Sequence, residues 1–450
     1  MKLLNITNKT VAFLAGMSLL LSSQAAAQQR IITLQDAISL ALEHNRTLKV
    51  SGLEVSRSQQ QIRVAKSKML PKINLNGQYS HYFSRPVFFG FGGNDTSGSD
   101  ELSYARFGGE DQFAATLSLF QPLYDPAFKP EWDLANLQNN ASKFALRNDE
   151  SEVVANVRQS YLRVLVLRER LQLQQESLNR NKKVLADSRS LYAQGRALRV
   201  DTLRAYTTVK NLQPDILKFS NAEAIAREEL VHLLGLENNE ELLLTDSLFI
   251  QTIDRIPSEE EVLEEAKRSR ADLQKLAIDE RVAAKTVSFY SAGRLPSVSL
   301  AGQYQLLTQA NSFNVGDANW PSVSYAGIQV SVPLFNGNLH VAKVKEARLS
   351  QQQASMQLID AQEQLKVDVH QVVAYLHETT ESLLTQSTVK ETALLSYDIV
   401  QYRYEKGVAS RLELTDAELA LTTANTNYLE AVYEYLSAHN QLDRVVGRVK

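Results

Sequence analysis

Two hydrophobic periods recur along this chain, and each appears in both halves. Between 72 and 84, Ile73, Leu75, Tyr79, His81 and Phe83 alternate with Asn74, Asn76, Gln78, Ser80 and Tyr82. A period of two places one apolar face opposite one polar face and predicts a strand. The same pattern runs over 112–121, where Phe113, Ala115, Leu117 and Leu119 alternate with Gln112, Thr116 and Ser118. It returns over 297–308 with Val298, Leu300, Tyr304 and Leu306 on one face. A fourth strand is predicted over 322–333, alternating less cleanly but with Ala326, Ile328, Val330 and Val332 on one side.

The other period is seven. Val164, Leu171, Leu178, Leu185 and Tyr192 recur at that step, as do Leu358, Leu365 and Val372 after Val344. Ala347, Ala354 and Ala361 occupy the neighbouring position, and small side chains there let helices approach closely. Sustained heptads predict coiled-coil packing. After Pro130 neither Pro nor Gly interrupts the first stretch before Gly195. Long helices are therefore expected over 127–193 and 339–405, each followed by a turn and a second helix, over 199–235 and 411–446. About 65 helical residues make a rod of roughly 100 Å, longer than a globular core requires.

The order of elements is written twice. The segment from Leu70-Pro71 to Gln78-Tyr79 reappears from Leu295-Pro296 to Gln303-Tyr304, and the register holds back to Thr33 and Ser258. Pro122-Leu123-Tyr124 pairs with Pro333-Leu334-Phe335, Tyr161-Leu162 with Tyr375-Leu376, and Tyr192-x-x-Gly195 with Tyr404-x-x-Gly407. Ordered matches of this kind indicate internal duplication. The expected organisation is a first repeat over 28–256 and a second over 257–450. Overall a mainly α fold with a small β part is expected, in which long coiled-coil helices are joined to a short β region.

The N-terminus bears an export address. Lys2 and Lys9 precede an apolar run from Val11 to Leu21, and Ala25-Ala26-Ala27 supplies a cleavage site, giving a signal peptide over 1–27. About 11 apolar residues are too few for a spanning helix, which needs ~20. On an exported chain, ten-residue alternating segments read as transmembrane strands, with Tyr79, Phe83, Tyr304 and Tyr325 as candidates for an interfacial aromatic girdle. Lipid tolerates no open sheet edge, and the smallest closed barrels use eight strands. Four strands per chain therefore require an oligomer, of two chains or of three.

Composition narrows the chemistry. Cys is absent, which removes thiol catalysis, zinc-thiolate sites and disulfides. A formal net charge of −3 gives no reason to expect nucleic acid. No Ser-His-Asp set, phosphate-binding Gly loop or catalytic carboxylate pair stands out, so no enzyme activity, cofactor or metal is expected. His370 and His377 are seven apart and read as wall or surface residues. The Phe88-Phe89-Gly90-Phe91-Gly92-Gly93 segment falls in the long 85–111 loop.

Taken together, the duplicated Leu-Pro before each outward strand, the Pro-Leu-Tyr/Phe after each return strand and the Tyr-x-x-Gly turn in each half resemble the TolC-like outer membrane efflux protein family. The resemblance runs from Thr33 to Gly447. It implies an outer-membrane homotrimer with one shared twelve-stranded barrel in lipid and a twelve-helix periplasmic tunnel. It also implies a periplasmic adaptor and an inner-membrane transporter as partners in efflux or type I secretion. By the same resemblance the turns at Gly195 and Gly407 form a periplasmic tip. Glu413 and Asp416 would make acidic rings at its constriction, and Asp201 and Tyr404 would hold it shut. Where the family has an Arg after the second Gly, this chain has Ala409, and Arg411, Arg199 and Arg204 are candidate substitutes. The alternative is a soluble periplasmic coiled-coil adaptor or scaffold, which needs no alternating strands.

Overall fold

The computed structural model describes residues 30–89, 104–236, 242–248, 250, 252–253, 255–313 and 318–448. The signal peptide expected over 1–27 and the Gly90–Gly93 stretch lie outside the described residues. In the first half the elements are β1 (Arg30–Ile32), α1 (Leu34–His44), α2 (Arg46–Ser67), β2 (Lys72–His81), β3 (Val87–Phe89), β4 (Tyr104–Arg106), β5 (Asp111–Tyr124), α3 (Phe128–Ala193) and α4 (Arg199–Leu234). There follow β6 (Leu242–Leu244), α5 (Glu259–Ser269), α6 (Ala271–Ala292), β7 (Ser297–Ala310), β8 (Ser322–Ser331), α7 (Leu339–Glu405) and α8 (Arg411–Val446).

Contacts divide the chain differently from its sequence pattern. One compact unit takes Leu53–Phe144 and Gln274–Asp360; the other takes the remaining three segments. Each draws on both halves of the sequence, because α3 and α7, at 66 and 67 residues, contribute to both units. No described helix is long and apolar enough to cross a membrane.

The unit containing 53–144 and 274–360 is organised by an antiparallel sheet in the order β2-β5-β7-β8. Its register sorts the side chains cleanly. Ile73 faces Leu119, Leu75 faces Leu117 and Tyr79 faces Phe113. Leu117 faces Tyr304 and Ala115 faces Leu306, while Leu300 faces Ile328 and Val298 faces Val330. Cross-strand partners share a face, so these residues make one continuous apolar surface. Asn76 with Thr116, Ser118 with Gln303 and Gln112 with Gln309 make the opposite, polar surface. There Gln309 Nε2 donates to Gln112 Oε1 at 3.2 Å.

The register corrects one expectation. Tyr325 lies opposite Gln303, on the polar face, with its hydroxyl 3.5 Å from Gln303 Oε1. It stands one residue out of phase with Ala326 and Ile328, and a shift of one residue reverses the face. Tyr79 instead joins Phe113 and Phe313 in an aromatic cluster with ring centroids 4.8–5.5 Å apart. The sheet is open: β2 and β8 each pair on one side only. On those edge strands Ile73, Leu75, Ile328 and Val330 are 61–74% exposed.

The other unit is helical, with two cores that use corresponding parts of each half. Ile32, Ala37, Ile38, Val157, Tyr161, Val164, Leu230 and Leu234 form one. Val262, Ala266, Leu365, Val369, Val372, Leu376, Leu442 and Val446 form the other. The short helices begin alike. Thr33 caps α1 and Ser258 caps α5, each in a reciprocal capping box, with Asp36 and Glu261. Sequence reading missed the parallel pair of β1 with β6, each of three residues and too short for a period to register.

Asp246, just after β6, ties this core together. Its carboxylate accepts from the Leu34 N–H at 2.9 Å and from the Tyr161 hydroxyl at 2.8 Å. Burial, then that carboxylate, pushes the Tyr161 phenol well above its ordinary pKa. Tyr161→Phe keeps the packing but takes one of two donors from the Asp246 carboxylate, leaving the Leu34 N–H, and is expected to destabilise the fold by about 1–2 kcal/mol. Chemical denaturation in detergent checks this; a midpoint equal to that of the wild type would remove Asp246 as the tie.

Candidate functional site at the helix turns

Both long helices end in the same backbone device. After α3, Gly195 takes φ 72°, its N–H donates to the Tyr192 carbonyl at 2.9 Å, and the Arg196 N–H donates to the Leu191 carbonyl at 2.9 Å. After α7, Gly407 takes φ 74°, with the Tyr404 and Arg403 carbonyls accepting from Gly407 and Val408. This is the Schellman closure, which satisfies orphan carbonyls and requires a left-handed residue. A Cβ on either glycine would meet nothing within 4 Å, so backbone conformation rather than space selects Gly here.

The following helices begin differently. Ser410 caps α8: its hydroxyl accepts from the Glu413 N–H at 3.2 Å, and Glu413 Oε2 accepts from the Ser410 N–H at 2.6 Å. The N-cap of α4 is Leu198, which has no capping side chain. Asp201 and Glu413 thus occupy the third position of their helices, but only Glu413 closes a box. The Ser410 backbone N–H, then its hydroxyl, holds the Glu413 carboxyl below the usual carboxylate range. Asp416 stands one turn further along the same face of α8, exposed, beside Val389 and Ala393 of α7.

Among the described residues of a single chain, the Asp201 carboxylate does not hydrogen-bond to Tyr404. The Tyr404 ring instead carries the Arg411 guanidinium, 6.0 Å from its centroid. Ala409, which stands where the resemblance expects an Arg, is buried, and its N–H donates to the Arg403 carbonyl at 3.2 Å. His370 meets Glu259 at 3.0 Å. Sequence reading passed over Glu418, which is 9% exposed and lies 2.8 and 3.0 Å from Nε of Arg180 on α3. A charged residue at a position flanked by Leu414 and Leu421, both buried, was the available signal.

The asymmetry in capping generates a prediction. A carboxyl whose folded pKa is depressed stabilises above its unfolded pKa, about 4.3 for Glu, and that contribution fades as pH falls through the folded value. At neutral pH the first amides of α8 should therefore exchange with solvent more slowly than those of α4. The difference should shrink below about pH 4 and vanish in Ser410→Ala, whose loss of the cap costs about 1 kcal/mol. Hydrogen-exchange mass spectrometry reads both; equal protection of the two helix starts at pH 7 would contradict it.

Comparison with known proteins extends these observations. The model of a family described as outer membrane efflux protein matches residues 37–236 and 262–448. Outer membrane protein TolC of Vibrio cholerae is 21% identical over 387 residues, covering 85% of this chain and 83% of that one. Alkaline protease secretion protein AprF of Pseudomonas aeruginosa is 22% identical over 340 residues, covering 75% and 70%. The crystal structure of the Campylobacter jejuni CmeC outer membrane channel superposes with a TM-score of 0.75 at 16% identity, covering 92% of this chain and 85% of that chain.

Proposed function

This chain belongs to the outer membrane efflux protein family, and on that premise we propose that three copies close one twelve-stranded barrel and a twelve-helix tunnel. It is an outer-membrane channel with a large periplasmic part, an exit duct for efflux or type I secretion rather than a soluble adaptor. Its family is one of channels, and we assign the chain no catalysis. The observation that carries assembly is the open sheet, whose unpaired edges and exposed apolar face are untenable in lipid until β2 of one copy meets β8 of another; the number three is what the family likeness implies. Internal duplication accounts for the arithmetic: two strands and two long helices per repeat become twelve of each in three copies.

In this reading the polar face of the sheet lines the lumen with amides and hydroxyls, and the apolar face meets lipid. The turns at Gly195 and Gly407 form the periplasmic tip, where a periplasmic adaptor and an inner-membrane transporter engage and supply the energy. Glu413 and Asp416 give stacked carboxylate rings that attract cations. Asp201 and Tyr404 restrain the tip through contacts between copies, since one chain does not join them. In this reading specificity for cargo resides in the transporter rather than in the duct.

Purified in detergent, the protein should have the mass of three chains and form small cation-preferring conductances in a planar bilayer. Glu413→Gln with Asp416→Asn should lower the cation-to-anion permeability ratio severalfold, as expected when a charged ring is neutralised. A detergent-independent soluble particle without conductance would overturn the duct; an unchanged ratio in the double variant would overturn the acidic rings.

A further inference from the structure

In the helical unit the buried hydrophobic side chains sort by sequence half. One core joins α1, α3 and α4, and a smaller group, Leu185, Ala205 and Val209, continues the α3–α4 seam toward the turn. The second core joins α5, α7 and α8, and Leu383, Ala431, Val432 and Tyr435 continue the α7–α8 seam. Among the described residues no such cluster takes buried side chains from both α3 and α8. Leu248, in the connector after β6, is a partly buried side chain that packs against clusters of both halves.

What joins α3 to α8 is polar. Arg444 Nη2 reaches the Glu152 oxygens at 3.0 and 2.8 Å, and Arg158 Nη1 reaches Asp443 Oδ2 at 2.7 Å. Gln159 donates to Tyr433 at 2.7 Å and to Ser437 at 3.1 Å, and Arg170 pairs with Glu430. Arg180 with Glu418 is the rung nearest the turn, with Ser177 Oγ 3.3 Å from Glu418 Oε1. Residues climbing α3 thus meet residues descending α8, one antiparallel ladder along the whole seam. Its far rung is open to solvent, with Arg444 and Glu152 side chains 54% and 39% exposed. The rung at the turn is enclosed, with the Glu418 side chain 12% exposed, and so is Arg158 with Asp443, at 15% and 27%.

Apolar contact is non-directional and tolerates small slides, whereas a charge-assisted pair in an enclosed setting fixes position. Asp416 precedes Glu418 by two residues and Glu413 precedes it by five, on the same helix. Whatever fixes Glu418 on α3 fixes both carboxylates, because a helix is stiff over one and a half turns. We infer that Arg180 is a positioning residue for the acidic constriction: by gripping Glu418 it sets the level and reach of Glu413 and Asp416 on the tunnel axis. The inference rests on the role proposed above for those two carboxylates and adds a residue from the other half of the chain.

The sign of the effect separates positioning from plain electrostatics. Arg180→Gln removes a positive charge and frees a negative one, so a purely electrostatic role predicts a higher cation preference. Positioning predicts a lower one, because the carboxylates lose their common level. Arg180→Gln with Glu418→Gln leaves the net charge unchanged, and it too should lower the cation-to-anion permeability ratio, by about twofold or more. Reversal potentials in a salt gradient across a planar bilayer read this. Glu152→Gln with Arg444→Gln, at the exposed rung, should leave the ratio as in the wild type, and Arg180→Glu with Glu418→Arg should recover it. Should the glutamine variants fail to assemble, Arg180→Lys, which keeps the charge but loses the planar donor, is read in their place and should also lower the ratio. An unchanged or raised ratio in these variants, where Glu413→Gln with Asp416→Asn lowers it, overturns the positioning role alone. If neutralising Glu413 and Asp416 changes nothing, the acidic rings fall, and this inference with them.

Discussion

An unpaired backbone at the edge of a sheet is the constraint on which the rest of this structure depends. Strands β2 and β8 each leave one side of N–H and C=O groups without partners, and water cannot supply them in hydrocarbon. A single chain is therefore incomplete as a membrane object, however well its helices fold. In the proposed closure by further copies, the apolar face of Ile73, Leu117, Leu300 and Ile328 would turn outward to lipid. The face of Asn76, Thr116, Gln303 and Tyr325 would turn inward to water by the same step. Pore and membrane anchor then follow from one pairing rather than from two.

The helical unit meets a different demand. Each sequence half buries its own core, centred on Tyr161 and Val157 in one and on Leu376 and Val369 in the other. Between α3 and α8 the hydrogen bonds and ion pairs are polar and directional, from Glu152 with Arg444 through Gln159 with Tyr433 to Arg180 with Glu418. Non-directional burial holds each half together while paired charges hold the halves in step. A conduit that must be stable along its length, and set in position at its end, has a use for both kinds of contact.

Much of this was legible in the chain because periodic patterns survive without context. The heptads reporting α3 and α7, and the glycines ending them, are local signals, and Gly195 and Gly407 do take the left-handed conformation their turns require. The sheet face could be read wherever alternation was clean. It failed at Tyr325, where aromatic character pointed one way and phase the other, and phase prevailed. Three-residue strands such as β1 and β6 carry no period at all. At the turns, residue types were readable but their partners were not. Glu413 was legible as an acid and not as the closing member of a capping box with Ser410, since Ser410 was not read as a cap. Arg180 and Glu418 lie 238 residues apart in the chain, and no local pattern marks a pair of that separation.

The absence of native Cys gives the central claim a direct test, because engineered thiols have no competitors. One Cys is placed on the outer edge of β2, as Asn76→Cys, and a second is walked along β8 at Val323, Tyr325, Gly327, Gln329 and Ser331, which share its face. Disulfides form only where Cα atoms approach within about 7 Å. Closure between copies expects one position on β8 to cross-link far better than the others, yielding a covalent trimer in the outer membrane. Cross-linking at no position, or a product that stops at two chains, would contradict it.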